Sequence, residues 1–288
     1  MGECQVNAKD NFFGTKKNLI LYSVNLMGIS NKQHLHIILD DWKHLNQMPH
    51  DFLENFVFRG QENSQWELVT KLQRAYRDIS SMLAKEKELI QSFETLYPTS
   101  LPLTKNMAFL EFVLNKHNYG QPVRILDFSK SLYVALWFAM NGEAKESSIY
   151  AINKVDLVYD SLKKADKDNP SGSFAIEHLG KLNGELIFPL IKNSFIDRGL
   201  YYIEPMASYK NLKSQQTVHI FQKKIGDSFE DNVKAQNSTI EFISSSEINH
   251  SISNYSLVKI IIPVKFRGNI HHLLKNLNIT KYSLSINN

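Results

Sequence analysis

The run from Asn118 to Ala139, NYGQPVRILDFSKSLYVALWFA, constrains the fold more than any other stretch of the chain. Gly120 can take a positive φ, and Pro122 steers Gln121 out of the α region into an extended shape. Val123 to Phe128 then reads as a short buried strand with Arg124 and Asp127 set among apolar residues. Ser129 or Ser131 can cap the next element, because a hydroxyl accepts from the free N–H groups of a first helical turn. Leu132 to Met140 is apolar almost all round, which predicts a helix buried on every side. A turn, a strand and a capped helix start place polar groups at the mouth of a packed core, where anions meet helix N-termini. The plain alternative is a strand–helix core unit in which Arg124 and Asp127 pair with each other or with backbone.

Further strands are expected where short apolar runs are bounded by Gly, Pro, Asn or Ser: Phe56–Arg59, Ser148–Ile152, Val218–Phe221 and Leu257–Pro263. Asn18 to Met27, Gly199 to Pro205 and Ile240 to Ile243 read as strands too. Helices are expected over Asn31–Leu45, where Leu35, Ile38, Leu39, Trp42 and Leu45 fall at helical spacing, and over Ser80–Tyr97. In the latter, Met82, Leu83, Leu89, Ile90 and Phe93 form the inner face, with Lys85, Glu86, Lys87 and Glu88 outside. Met107–Lys116, Phe174–Leu182 and Asn269–Leu277 complete the helices, and Lys163 to Gly172 is a polar loop suited to a lid or insertion. The reading is α+β: a single domain with a central mixed or mostly antiparallel sheet flanked by helices. Residues 1–30 form an N-terminal extension with a first strand, and 31–288 form the domain.

Arg59 ends a buried strand beside Gly60. Its guanidinium is a permanently charged fork suited to phosphate or carboxylate, and glycine lets a ligand or backbone approach. The plain alternative is an arginine bracing a loop.

Two blocks carry a family resemblance. Phe58-Arg59-Gly60-Gln61 is followed by Trp66, Leu68, Leu72 and Arg74 at the spacing W-x-L-x-x-x-L-x-R. The Asn118–Ser129 run is similar to the block His-Tyr-Gly-x-Pro-Thr-Arg-Leu-Leu-Asp-Trp-Thr. In this order they resemble the FRG-domain family, over a stretch from about residue 35 to the C-terminus. A weaker likeness is to the Arg–Ser–Glu triad of ADP-ribosyltransferases, which bind NAD in a split-sheet cleft. It implies Arg59 as the phosphate or ribose ligand, Ser129 as support for the nicotinamide ribose, and Gln215 at the place of the glutamate. Gly60, Gln61 and Arg124 would help to hold the nucleotide. An oxocarbenium-like transition state needs a nearby anion, and Gln215 has no charge to offer. The family block Arg-x-x-x-Gln-x-Gly-x-Phe survives as Asn211, Gln215 and Val218-His219, with Thr217 for glycine. The family histidine is Asn118, with His117 beside it.

These resemblances imply an NAD- or ADP-ribose-binding or ADP-ribosyltransferase-like effector, in phage defence or a toxin system, with no required cofactor beyond NAD as substrate. The other class is a nucleic-acid or protein interaction module, using a net charge of +4 and aromatics such as Tyr201 and Tyr202. Glu185, Glu204 and Asp127 are the acidic residues best placed for acid–base work. A single cysteine, Cys4, rules out an intrachain disulfide and a cysteine-rich zinc site. His271 and His272 are adjacent, and His34 and His36 lack a matching carboxylate pattern, so no metal site is expected from these spacings. No run approaches the ~18 apolar residues of a membrane span. A cytoplasmic chain with no membrane partner is expected.

Overall fold

The computed structural model describes residues 33–97, 102–157, 199–203, 213–233, 240–248, 252 and 254–284. The expected strand at Asn18–Met27, the polar loop Lys163–Gly172, the helix Phe174–Leu182, and Cys4, Glu185, Glu204 and Asn211 lie outside these residues.

Among the described residues, eight strands make one sheet: β1 (Gln33–Ile38), β2 (Phe56–Gln61), β3 (Ile125–Ser129), β4 (Glu146–Asn153), β5 (Leu200–Ile203), β6 (Thr217–Gln222), β7 (Ile240–Ser244) and β8 (Tyr255–Pro263). Their order is β5-β6-β3-β2-β4-β8-β1-β7. β1 runs parallel to both β7 and β8, and every other pairing is antiparallel. The described helices are α1 (His50–Asn55), α2 (Lys71–Ala75), α3 (Ile79–Leu96), α4 (Pro102–Asn118), α5 (Leu132–Met140), α6 (Phe229–Val233) and α7 (Arg267–Asn276). The result is one open α+β domain containing all the expected β-runs named above within the described residues. No described helix is long and apolar enough to cross a membrane.

Strand alternation sorts the core into layers, because directly paired residues share a face. Phe56 and Phe58 of β2, Ile149 and Ala151 of β4, and Ile260 and Ile262 of β8 pack under α5 and α7, against Leu132, Leu136, Ile270 and Leu274. Farther along the sheet, Ile125 of β3, Phe221 of β6 and Ile203 of β5 pack under α3 and α4, against Phe93, Phe109 and Val113. The register Phe58↔Ser129 places these two helical layers side by side on one face. The other face carries Val57, Leu126, Phe128, Tyr150, Val218 and Ile220, closed by Leu68, Phe229 and Val233.

One junction in the sheet is thin. β2 pairs with β4 along its whole length, from Phe56↔Asn153 to Gln61↔Ser148, but meets β3 only at Phe58↔Ser129. The sheet is continuous and parts at this seam, between the α4 and α5 layers.

Several expectations change. From Gln33 onward, the segment expected as a helix over Asn31–Leu45 is β1 followed by a 3₁₀ turn at Trp42–Asn46. Leu35, Ile37 and Leu39 are buried while Ile38 is 49% exposed, so the period is two. A helical count places Ile38 inside, and the strand turns it out. His34 and His36 therefore sit on a strand. Glu86, expected on the solvated face of α3, is buried and paired with Arg124. Tyr201 and Tyr202 are buried core residues of β5, so they form no exposed platform. The α5 helix matches its expected bounds and is capped by Ser131, whose hydroxyl accepts from the Val134 N–H at 3.4 Å. Its burial is not complete: Tyr133, Trp137 and Phe138 are only partly covered.

Candidate functional site

At the parted seam lies a cleft of about 280 Å³. Phe58, Arg59 and Gly60 come from β2; Asp127, Phe128 and Ser129 from β3; Ala135 and Phe138 from α5; Gln215 from the turn that leads into β6, and Thr217 from the first position of that strand. Three expected site residues, Arg59, Ser129 and Gln215, thus meet on one cleft although they are distant in sequence.

Each is held by a local device. The guanidinium of Arg59 donates from Nη1 to the Asp127 carbonyl at 2.7 Å, which fills the place of a ladder bond missing where β2 and β3 diverge. Its Nε is buried without a hydrogen-bond partner among the described residues. Burial disfavours the Arg59 cation; the Asp127 carboxylate opposes that, and Arg74 adds like charge. The Ser129 hydroxyl donates to the Gln215 carbonyl at 2.7 Å and accepts from the Ser131 N–H at 3.0 Å. Its proton is committed, so toward a ligand it can only accept. Gln216 has φ 50, and its carbonyl accepts from the Lys130 N–H at 3.0 Å, which sets the turn into β6. The Gln215 side chain donates from Nε2 to the Leu284 carbonyl at 3.1 Å.

Gly60 serves packing. A Cβ built there would stand 1.9 Å from the Ala135 carbonyl oxygen and 2.7 Å from the Ala139 nitrogen, so the absent side chain admits the backbone of α5. Gln61 reaches toward the Glu67 carbonyl at 3.4 Å and is not among the residues lining the cleft. Nor is Arg124. Its fully buried guanidinium bonds Glu86 from Nε at 2.5 Å, donates from Nη1 to the Lys223 carbonyl and stacks 4.9 Å over the Phe221 ring. Burial pushes the Glu86 carboxyl up, and the guanidinium and its hydrogen bond offset part of that. The pairing of Arg124 with Asp127 suggested by their closeness in sequence does not form.

Asp127 has other partners. His219 stands directly across from it on β6 and offers Nδ1 at 2.9 Å to Oδ1. His117, in the last turn of α4, offers Nε2 at 2.7 Å to the same oxygen. That last turn closes on Gly120 (φ +80), with Gly120 N–H bonded to the His117 carbonyl and Gln121 N–H to the Lys116 carbonyl, the Schellman arrangement that turns the chain toward β3. The Lys71 ammonium donates to the His117 carbonyl at 3.0 Å. Burial alone would raise the Asp127 carboxyl; the hydrogen bonds from the two imidazoles and their charge outweigh it and hold the group well below the usual carboxylate range. The Asp127 side chain is 45% exposed, whereas the two histidines are buried. Asp127 is therefore an anion fixed from beneath and open to the cleft. No spacing in the sequence signals this cluster, since its three members lie on a helix end and two neighbouring strands.

Residues 54–148 match the family model of the FRG domain. This chain carries an FRG domain. The match takes in β2, α4, β3 and α5, hence Arg59, His117, Asp127 and Ser129; Gln215 of the cleft and His219, which pairs with Asp127, lie beyond it. Comparison with curated proteins and with solved structures found no match.

Proposed function

We propose that the seam cleft of this FRG-domain protein binds a nucleotide carrying an ADP-ribose-like group, NAD among them. The observation that carries this reading is the convergence of Arg59, Ser129 and Gln215 on one cleft at the parting of β2 and β3. Arg59 brings a cation with a buried, unpartnered Nε, suited to an oxyanion. The apolar walls, Phe58, Phe128 and Phe138, suit a ring. The volume, about 280 Å³, lies at the small end of ligand pockets and favours one half of a dinucleotide over the whole. If the bound group reacts at a ribose, the cleft supplies an anion in Asp127, which the uncharged Gln215 cannot. A toxin or defence role would act through this same cleft. The interaction-module reading loses its aromatic platform with the burial of Tyr201 and Tyr202.

Calorimetric titration of NAD and of ADP-ribose into the wild type and Arg59→Ala tests the proposal. Binding to the wild type should weaken at least tenfold in the variant. Because Arg59 also braces the Asp127 carbonyl, its removal should cost about 1 kcal/mol of stability, and the titration is run well below the variant's melting temperature. No binding by the wild type, or equal binding by both proteins, overturns the reading.

A further inference from the structure

We propose that His117, Asp127 and His219 form a binding site for a single first-row transition-metal dication, of the zinc, iron or cobalt type. Two imidazole nitrogens and one carboxylate oxygen, from the end of α4, from β3 and from β6, lie within 4.8 Å of one another. This donor set suits such ions and is poor for magnesium or calcium, which prefer oxygen alone.

The geometry is close to what coordination needs. Metal–nitrogen and metal–oxygen bonds of ~2.0–2.2 Å at tetrahedral or octahedral angles put neighbouring ligand atoms ~2.8–3.6 Å apart. Here His117 Nε2 and His219 Nδ1 stand 2.7 and 2.9 Å from the same Asp127 oxygen, so an outward movement of that carboxylate would open the centre. The burial is asymmetric in the useful direction. The imidazole side chains are 3% and 0% exposed and fixed by the α4 terminus and the sheet, while the carboxylate is 45% exposed. Three protein ligands on the inside and open positions on the cleft side is the pattern of a reactive rather than a closed structural site.

Packing alone does not account for two histidines at this place. Both rings spend one nitrogen on a single carboxylate oxygen, and the other nitrogen of each, His117 Nδ1 and His219 Nε2, is buried without a partner among the described residues. Buried polar atoms left this way are costly, and an apolar ring such as Phe221, two residues on, would fill the same space without that cost. What the two histidines do have in common is the one point at which they aim. Arg59 and Lys71 lie nearby, but their hydrogen bonds are made to the carbonyls of Asp127 and His117, leaving the carboxylate oxygen to the imidazoles.

The test is direct and independent of any nucleotide. Metal-free protein with the background substitution Cys4→Ser, which removes the sole thiol, is titrated with Co²⁺ by visible absorption and with Zn²⁺ by calorimetry. One equivalent should bind, with a cobalt d–d spectrum of nitrogen and oxygen ligation. Asp127→Asn and His219→Gln should each weaken binding by tenfold or more, while a His271→Ala/His272→Ala control should leave it unchanged. Circular dichroism identifies any variant that has failed to fold, and the wild-type spectrum then decides alone. Absence of one-equivalent binding in the wild type, or binding that survives in folded Asp127→Asn and His219→Gln, overturns the site and leaves a hydrogen-bonded clamp on Asp127.

Discussion

Replacing Arg124 by Met should destabilise this protein severely, and do so more at high pH than at low. The guanidinium is enclosed by Glu86, the Lys223 carbonyl and the Phe221 ring. Removing it strands the Glu86 carboxylate, itself buried, with no cation, and removal of one partner of a buried pair costs about 3–5 kcal/mol. The Lys223 carbonyl loses a donor for ~1 kcal/mol more, and Met covers Phe221 about as well as the arginine stem. The total loss, about 4–6 kcal/mol, is a large part of a typical stability of ~5–15 kcal/mol and corresponds to a melting shift of roughly 8–24 °C. The pH sign is set by Glu86. Its folded-state value already stands above the ordinary 4.5 because of burial, and without the guanidinium that rise is unopposed. A carboxyl raised in the folded state contributes stability that is full below its unfolded value and lost as pH rises through its folded value. Urea melts at pH 5 and pH 8 should therefore show a smaller deficit against wild type at pH 5. The double variant Glu86→Leu/Arg124→Met should recover most of the loss, since an apolar pair of similar volume removes both charges together. A deficit below ~1 kcal/mol, or one equal at the two pH values, would refute the reasoning.

Other substitutions probe the packing around the seam. Gly60→Ala would drive a Cβ into the Ala135 carbonyl and should cost about 3 kcal/mol or more by denaturant melt; a near-neutral result would mean that α5 does not lie where it is placed. Leu136→Ala, at 0% exposure, should cost ~2–5 kcal/mol, and Trp137→Ala, partly exposed on the same helix, distinctly less; the reverse ranking would show the helix rotated. Gln215→Glu loses the bond to the Leu284 carbonyl and sets a carboxylate against it, so hydrogen exchange near Leu284 should quicken by about 1 kcal/mol of protection. If NAD is bound, the same change adds an anion to the cleft and nicotinamide release should rise; unchanged release would confine Gln215 to holding the chain end.

Legibility in the sequence divides along physical lines. The strand and helix of the Asn118–Ala139 run are legible because Gly120, Pro122, Ser131 and the apolar run through Met140 act locally, on neighbours a turn away. The convergence of Arg59, Ser129 and Gln215 is signalled by the order of motifs, and the structure adds the reason: β2, β3 and β6 are adjacent in the sheet. Glu86 is not legible. In a helix reading Lys85–Glu88, one buried carboxylate looks like its solvated neighbours, and only an arginine from another element distinguishes it. Asp127 shows the same rule from the other side. Arg124 is a counter-charge close to it in sequence, yet pairing across the sheet gives it His219, and the end of α4 gives it His117. Local propensity therefore predicts where a polar group stands, but the partner of a buried charge is chosen by tertiary register. That has a consequence for the cleft. Changing the β3–β6 register by one residue would leave Ser129 facing a different neighbour and carry His219 to the opposite face, so the anion at Asp127 is as much a product of the pairing as of its own side chain.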